Sequence, residues 1–436
     1  MGRVKKGLLR SIYQLVYTDH VIRFDKPPIP KVKTTKIEIG NNLYKLMRFI
    51  ILGKTNLKKS FVHYRRSKLT MNQLYLHYMK SEDFIFQTTA ALKGKTTWTA
   101  PSNIALVKYW GKHGKQLPKN PSLSLTLSNC VTKTVLDYYP NNISSDNISF
   151  NFNFEGKPRP DFHPKLAAFF QRIKPFAPYI ENHHFEISSE NSFPHSSGIA
   201  SSASAMAALS MCLMDIERTI VPEMSLDYFN RKASFLARLG SGSAARSIEG
   251  PVTVWGSTAA FSESNDLFAI PFIQDLHPIF GNYQDTILLI DKGSKKVSST
   301  QGHQLMHNHP FANQRFEQGE RHLSELKGVM QTGDLTRFIA LVESEALTLH
   351  AMMMTSNPYF ILMHPNTLKV IEKIWEFRET SKIPLCFTLD AGANVHVLYP
   401  DENKFLVQDF IKQTLAVFCQ NKQFIHDHLG DGVKKH

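Results

Sequence analysis

Pro194-His-Ser-Ser-Gly-Ile-Ala-Ser-Ser-Ala-Ser204 runs without interruption into an apolar stretch, Ala205 to Leu213. Small residues at a helix start leave backbone N–H groups uncovered, at the positive end of the helix dipole. That combination cradles phosphate. Gly198 lets backbone approach a ligand closely, and Ser196, Ser197, Ser201 and Ser202 add hydroxyl donors. The spacing is not GxxxxGK[ST], so this is not a Walker loop. Taken alone, the same residues also describe a capped surface helix, and composition does not choose between the two.

Around this run the chain mixes strands and helices. Thr97 to Ala100 reads as a strand end, Pro101-Ser-Asn103 as a turn, and Ile104 to Tyr109 as a second apolar segment. Ser122 to Ser128 alternates with period two, and Lys133 to Tyr139 reads as its hairpin partner. Helices are expected over Pro164–Ile173, Ala205–Glu217 and Leu226–Leu239, and strands over Val252–Trp255 and Thr286–Ile290. Further on come helical stretches Phe311–Met330, Leu335–Met353 and Pro365–Thr380, with Met352-Met353-Met354 as helix core. Strands Leu385–Leu389 and Val395–Tyr399 then flank the turn Asp390 to Asn394, before a final helix, Lys404–Phe418. Without strict βαβ alternation the class is α+β. At 436 residues two domains are expected, 81–275 and 280–436.

The net charge of +14 is unevenly placed. Residues 1–80 carry +15 and the remainder −1, so the body is neutral. The basic extension admits three readings: upstream sequence foreign to the native protein, with Met79 or Met71 as the working start; an arm for nucleic acid or anionic lipid; or a targeting presequence. No nucleic acid is expected for the body. Cys130, Cys212, Cys386 and Cys419 form no CxxC pair and read as buried reduced thiols of a cytoplasmic protein. No apolar run approaches the roughly 20 residues of a membrane span.

Three more segments have the polar density of a site. Asn103 with Lys108-Tyr-Trp-Gly-Lys112 can present two cations to one anion, or two solvated lysines. Gly240-Ser-Gly-Ser-Ala-Ala-Arg-Ser247 offers Ser241, Ser243 and Arg246 just after a helix, with Arg suited to bidentate phosphate or carboxylate contacts. Asp390 sits between two apolar strands, as a turn cap or a general base. Lys295-Lys-Val-Ser-Ser-Thr300 is a weaker fourth segment. His303, His307 and His309 lack a carboxylate or cysteine to complete a metal set.

In this order, Ala100–Lys112, Ser189–Pro194, Gly198–Ser204, Gly240–Ser247, Lys295–Ser299 and Asp390–Val395 resemble the diphosphomevalonate decarboxylases of the GHMP kinase superfamily. The resemblance covers roughly residues 96–430 and omits the basic extension. It implies a two-domain GHMP kinase fold, with an N-terminal half like ribosomal protein S5 domain 2 and a ferredoxin-like C-terminal half. It also implies ATP and Mg²⁺ as cofactors, mevalonate 5-diphosphate as substrate, and a homodimer. By resemblance Asp390, Lys108 and Arg246 are catalytic, and Asn103, Tyr109, Lys112, Ser241, Ser243, Arg246 and Ser299 bind substrate. Ser189, Gly198, Ala200, Ser201, Ser202 and Lys295 would address ATP, with Ser201 as a Mg²⁺ ligand. His113, Pro121, His195-Ser-Ser197 and His303 (where relatives commonly carry Met) depart from the usual pattern. Mevalonate 5-phosphate as substrate, and RNA binding through the basic extension, are the competing readings.

Overall fold

The computed structural model describes residues 79–141, 147–194, 199–293 and 299–436, with backbone alone at 299 and 300. All belong to one compact unit, Leu69–His436. The basic extension up to residue 78, His195 to Gly198 and Lys295 lie outside the described residues, and the Ser299 side chain is likewise not described.

Strands β1 (Gly94–Val107), β2 (Lys112–His113), β3 (Leu117–Pro118), β4 (Ser122–Pro140), β5 (Ser149–Phe154) and β6 (Lys157–Pro158) come first. Helix α1 (His163–Ile173), strand β7 (His183–Asn191), helices α2 (Ser201–Ile220) and α3 (Leu226–Gly240), and strands β8 (Val252–Trp255) and β9 (Ile270–Pro271) complete the first half. The second half runs β10 (Gln284–Leu288), α4 (Ser299–Leu305), α5 (Ala312–Thr332), α6 (Leu335–Met354), α7 (Pro365–Ser381), β11 (Cys386–Leu389), β12 (Val395–Tyr399), α8 (Lys404–Phe410), β13 (Phe424–His428) and β14 (Lys434–Lys435). The first sheet has the order β14-β1-β4-β7-β5-β6, with β8 and then β9 attached to β4; the second is β11-β12-β10-β13. Pairing is antiparallel except β5 with β7. The mixed architecture is the expected α+β class.

Two expectations fail at one place. Ser122–Ser128 and Lys133–Tyr139 are not a hairpin: both lie in β4 and both pair with β1. Pro101–Asn103 is likewise no turn but an irregularity inside β1, where the register jumps from Pro101↔Val131 to Asn103↔Thr126. The cause is Asp427, distant in sequence. Its carboxylate accepts N–H groups from Ser128 (2.9 Å), Asn129 (2.8 Å) and Cys130 (2.7 Å), so the bulged backbone is satisfied without reversing the chain. The final helix runs to Phe418 as expected, α-helical to Phe410, then π-helical over Ile411–Leu415 and 3-10 over Ala416–Phe418, whereas Met354, expected in the helix core, is 45% exposed at the last turn of α6.

Three apolar cores position the site. Helices α1 to α3 pack on the first sheet through Phe169, Phe170, Leu213 and Leu236 against Phe185 and Ile187. A middle core joins the two sheets, with Leu123 and Leu125 of β4 meeting Leu323 and Leu326 of α5 and Ile287 of β10. A third lies under α7, where Val370 and Ile374 meet Phe387 and Val397. Helix α3 is capped by Ser225 Oγ, which accepts the Tyr228 N–H at 3.2 Å, and α6 by Asp334, which accepts that of Arg337 at 3.0 Å. Helix α2 has no side-chain cap; the preceding Ala200 is left-handed at φ 39°. All four cysteines are buried and free. Among the described residues no helix is long and apolar enough to cross a membrane.

Candidate active site

The irregular stretch of β1 organises the loops around the site. Ser102 Oγ donates to the Ile199 carbonyl at 2.7 Å, anchoring the start of α2. Asn103 Nδ2 donates to the Ser243 carbonyl at 3.2 Å and to Ser247 Oγ at 2.8 Å, tying down the turn after α3. One bulged strand thus fixes two segments far apart in sequence.

Lys108 follows the end of β1 and is 1% exposed. Its main chain is held from both sides: the N–H donates to Glu345 of α6 at 2.9 Å, and the carbonyl accepts from Asn120 at 3.0 Å and Arg315 of α5 at 3.1 Å. Arg315 and Glu345 form a buried ion pair at 2.5 Å, with His322 Nδ1 on the second Glu345 oxygen at 2.8 Å. Lys108 Nζ donates to the Ala105 carbonyl at 2.6 Å and stands 3.9 Å from Asp390 Oδ1. Burial pushes the Lys108 ammonium down to about 8, while Asp390 and Glu345 oppose that and Arg246 and Arg315 add to it.

Asp390 begins the turn between β11 and β12. Its backbone carbonyl accepts from His350 Nε2 at 3.1 Å and the Gly392 N–H at 2.7 Å. Arg246 lies in the turn after α3, buried, donating to Ser122 Oγ and, at 3.4 Å, to Asn103 Oδ1. Desolvation lowers its guanidinium to about 10 against the pull of Asp390 and Tyr109. Tyr109 packs edge-on against Trp255 at 4.7 Å, and burial raises its phenol well above the ordinary range. Among the described residues Tyr109 Oη and Arg246 Nε are buried without a partner, a cost tolerated mainly at functional sites.

These groups share a cavity of about 300 Å³. It gathers Lys108, Tyr109, Lys112, Ala200, Ser202, Ser241, Ser243, Arg246 and Asp390, four sequence segments converging on one space. Asn103 stands behind it as a support. Ser189 and Ser201 do not line it; they face a second, mostly apolar cavity of about 70 Å³ with Phe152, Phe154 and Phe162. Ser189 Oγ is already bonded to Thr134 Oγ1 at 2.7 Å.

Sequence reasoning missed three groups. Lys165 of α1 lines both cavities and bonds Ser202 Oγ, and burial lowers its ammonium. Inside an amphipathic helix a single lysine carries no signal. Arg315 and Glu345 read as ordinary helix charges, because only the fold shows that they meet. His303 was set aside as a metal ligand, yet it lines the main cavity.

Two family models match the chain: the diphosphomevalonate decarboxylase-like N-terminal domain over residues 100–266 and the mevalonate 5-diphosphate decarboxylase C-terminal domain over residues 286–434. A diphosphomevalonate decarboxylase of Candida albicans is 28% identical over 317 residues, 70% of this chain and 84% of its own length. A phosphomevalonate decarboxylase of Haloferax volcanii is 24% identical over 320 residues, 73% of this chain and 92% of its own. Among solved structures, MDDEF in complex with MVAPP, AMPPCP and magnesium superposes with a TM-score of 0.67 at 28% identity, covering 79% of this chain and 99% of that one.

Proposed function

From the premise that the chain belongs to the diphosphomevalonate decarboxylase family, with its GHMP kinase fold, we propose how its own residues divide the work. The protein is an ATP-dependent decarboxylase that converts mevalonate 5-diphosphate to isopentenyl diphosphate, ADP, phosphate and CO₂. The observation that carries the assignment of roles is the Lys108–Asp390 approach of 3.9 Å in a cavity shared with Arg246.

Asp390 takes the proton of the tertiary 3-hydroxyl as its oxygen attacks the terminal phosphorus of ATP. Lys108, 3.9 Å from Asp390, pairs with that carboxylate and neutralises the transferring phosphoryl group. Arg246 holds the C1 carboxylate. The C3–O bond then breaks, phosphate leaves with the electron pair, and the C1–C2 electrons become the C2=C3 double bond as CO₂ departs. The departing phosphate carries away the proton that Asp390 took, and the restored carboxylate stabilises the positive charge that grows at C3. Tyr109, Lys112, Ser241, Ser243 and Ser299 bind the diphosphate and mevalonyl body, with Asn103 holding Arg246 in place.

The uncapped start of α2, with Ala200, Ser202 and the Lys165 ammonium bonded to Ser202, suits the phosphates of ATP, which supplies the phosphoryl group when bound. Ser189, Ser201 and the aromatic wall of the second cavity suit its nucleoside end; Gly198 and Lys295 belong to the same set by sequence. Among the described residues no cluster of three or more metal-ligating side chains exists, so Mg²⁺ would be held chiefly by phosphate oxygens and water, with Ser201 as the protein hydroxyl we assign. The assembly we propose is a homodimer, checked by light scattering.

The test is incubation with ATP·Mg and, separately, mevalonate, its 5-phosphate and its 5-diphosphate, following ADP and CO₂. Turnover of the 5-diphosphate is expected. Preference for the 5-phosphate would instead match the Haloferax relative, which is named for that activity. Asp390→Asn should abolish both products with ATP affinity nearly unchanged; a variant that still turns over removes Asp390 from its role.

A further inference from the structure

We propose that His303 reads the phosphorylated end of the substrate, donating a hydrogen bond from Nε2–H of an uncharged ring to a phosphoryl oxygen beside Lys112. The inference rests on the reading above, in which Lys112 faces the diphosphate. His303 sits in α4, buried, its ring wedged between Tyr109 at 4.3 Å and Trp110 at 4.8 Å. Its Nδ1 accepts the Gly111 N–H at 2.9 Å. A ring nitrogen that accepts carries no proton, so in the neutral imidazole the proton is on Nε2. Hydrogen bonding therefore fixes the tautomer, and aromatic packing fixes the ring plane.

His303 lines the main cavity, and among the described residues nothing accepts from its Nε2. Burial first, then the charges of Lys112 and Arg246, lower the imidazolium to about 3. The charged groups facing it in the ligand-free cavity are thus both cations, with the Tyr109 phenol neutral, and the ring there is uncharged. What it offers is direction: one donor, aimed from a rigid ring, beside a Lys112 ammonium that attracts an anion without orienting it. A terminal phosphoryl oxygen is the acceptor such a donor suits, because charge-assisted bonds are the strong ones.

Two substitutions separate the roles of the ring nitrogens in the full-length enzyme. His303→Asn keeps an acceptor near the Gly111 N–H but removes the Nε2 donor; His303→Gln places an amide N–H near the Nε2 position. For His303→Asn the KM for mevalonate 5-diphosphate is expected to rise roughly tenfold, with kcat and the KM for ATP within about twofold. His303→Gln should stay within about threefold of the unaltered enzyme. Unchanged substrate KM in His303→Asn, or equal loss of kcat and both KM values in the two variants, overturns the inference. A measurement without substitution uses ring-¹⁵N-labelled protein: mevalonate 5-diphosphate should move the protonated Nε2 resonance of His303, and a resonance that does not move also overturns it. Absence of CO₂ from the unaltered chain sinks the parent reading, and this one with it.

Discussion

Lys108 makes the pH dependence of this enzyme a sharp test, because activity and stability must move in opposite directions. Its ammonium has a pKa of about 8 in the folded protein, against an ordinary 10.5. The phosphoryl-neutralising form is the cation, so kcat/KM, which reports the free enzyme, should fall about tenfold per pH unit above pH ~8. The depressed value has the reverse meaning for folding. Between pH ~8 and ~10.5 the unfolded chain holds a proton that the folded chain has released, so the contribution of this group to stability rises with pH. At about 1.4 kcal/mol per pH unit the full gain is about 3 kcal/mol. A fall in rate across that window is therefore not unfolding by this group, and a denaturation midpoint at each pH shows it. The assay is ADP release with ATP and mevalonate 5-diphosphate both varied, so that kcat/KM is extrapolated to the enzyme free of both, from about pH 6 to about pH 10. Lys108→Arg supplies the control: the guanidinium stays charged, so the alkaline limb should vanish from a slower enzyme. With two polyanions bound the ammonium is held charged, and the limb of kcat should lie at higher pH than that of kcat/KM. A wild-type profile flat to about pH 10, or a limb near pH ~8 that survives in Lys108→Arg, refutes the assignment; in the second case Lys112, also lowered by burial, becomes the owner.

Two further outcomes follow from the buried charges. Lys165→Met should raise the KM for ATP by about tenfold or more while leaving the affinity for mevalonate 5-diphosphate near its original value, as read by steady-state kinetics and calorimetry, since Lys165 sits where the two cavities meet at Ser202. Glu345→Gln leaves Arg315 charged, buried and unpaired, and should cost about 3–5 kcal/mol in denaturant unfolding, whereas Arg315→Met combined with Glu345→Leu should recover most of that stability. The recovered double variant should still turn over slowly, because the clamp on the Lys108 backbone is gone.

Local chemistry was legible in the sequence; long-range compensation was not. Helices α3, α5, α6 and α7 lie where apolar periodicity and caps such as Ser225 and Asp334 put them, because each signal sits within a few residues of the effect. The hairpin expected across Ser128–Cys130 is instead a bulge in one strand, since the acid that satisfies those three N–H groups is Asp427, some 300 residues away. The same limit governs the site. Lys108, Arg246 and Asp390 stood out because their segments are dense in polar and small residues. Lys165, Arg315 and Glu345 did not, because helix periodicity is indifferent to which charge is buried. His303 was visible only as a departure from the family pattern and as one of three histidines without the partners of a metal set, and only the Gly111 contact reveals a tautomer-locked donor.

The charge arrangement itself argues for a site finished by its ligands. Lys108 and Arg246 are almost fully buried, and desolvation lowers both of their pKa values, whereas the Asp390 side chain keeps 34% of its surface exposed. Two desolvated cations with one half-open carboxylate leave an excess of positive charge in a low-dielectric space. Burying a charge without a full partner is expensive, and folding alone gives no reason to keep it. Substrate carboxylate, diphosphate and the nucleotide's phosphates each bring the missing anion, so binding relieves a cost the empty fold already carries. The same excess protects the chemistry. Lys108 and Arg246 meet the incoming anions, so the Asp390 carboxylate, 3.9 Å from Lys108, is left to take the hydroxyl proton and, once the departing phosphate has carried that proton away, to face the positive charge at C3.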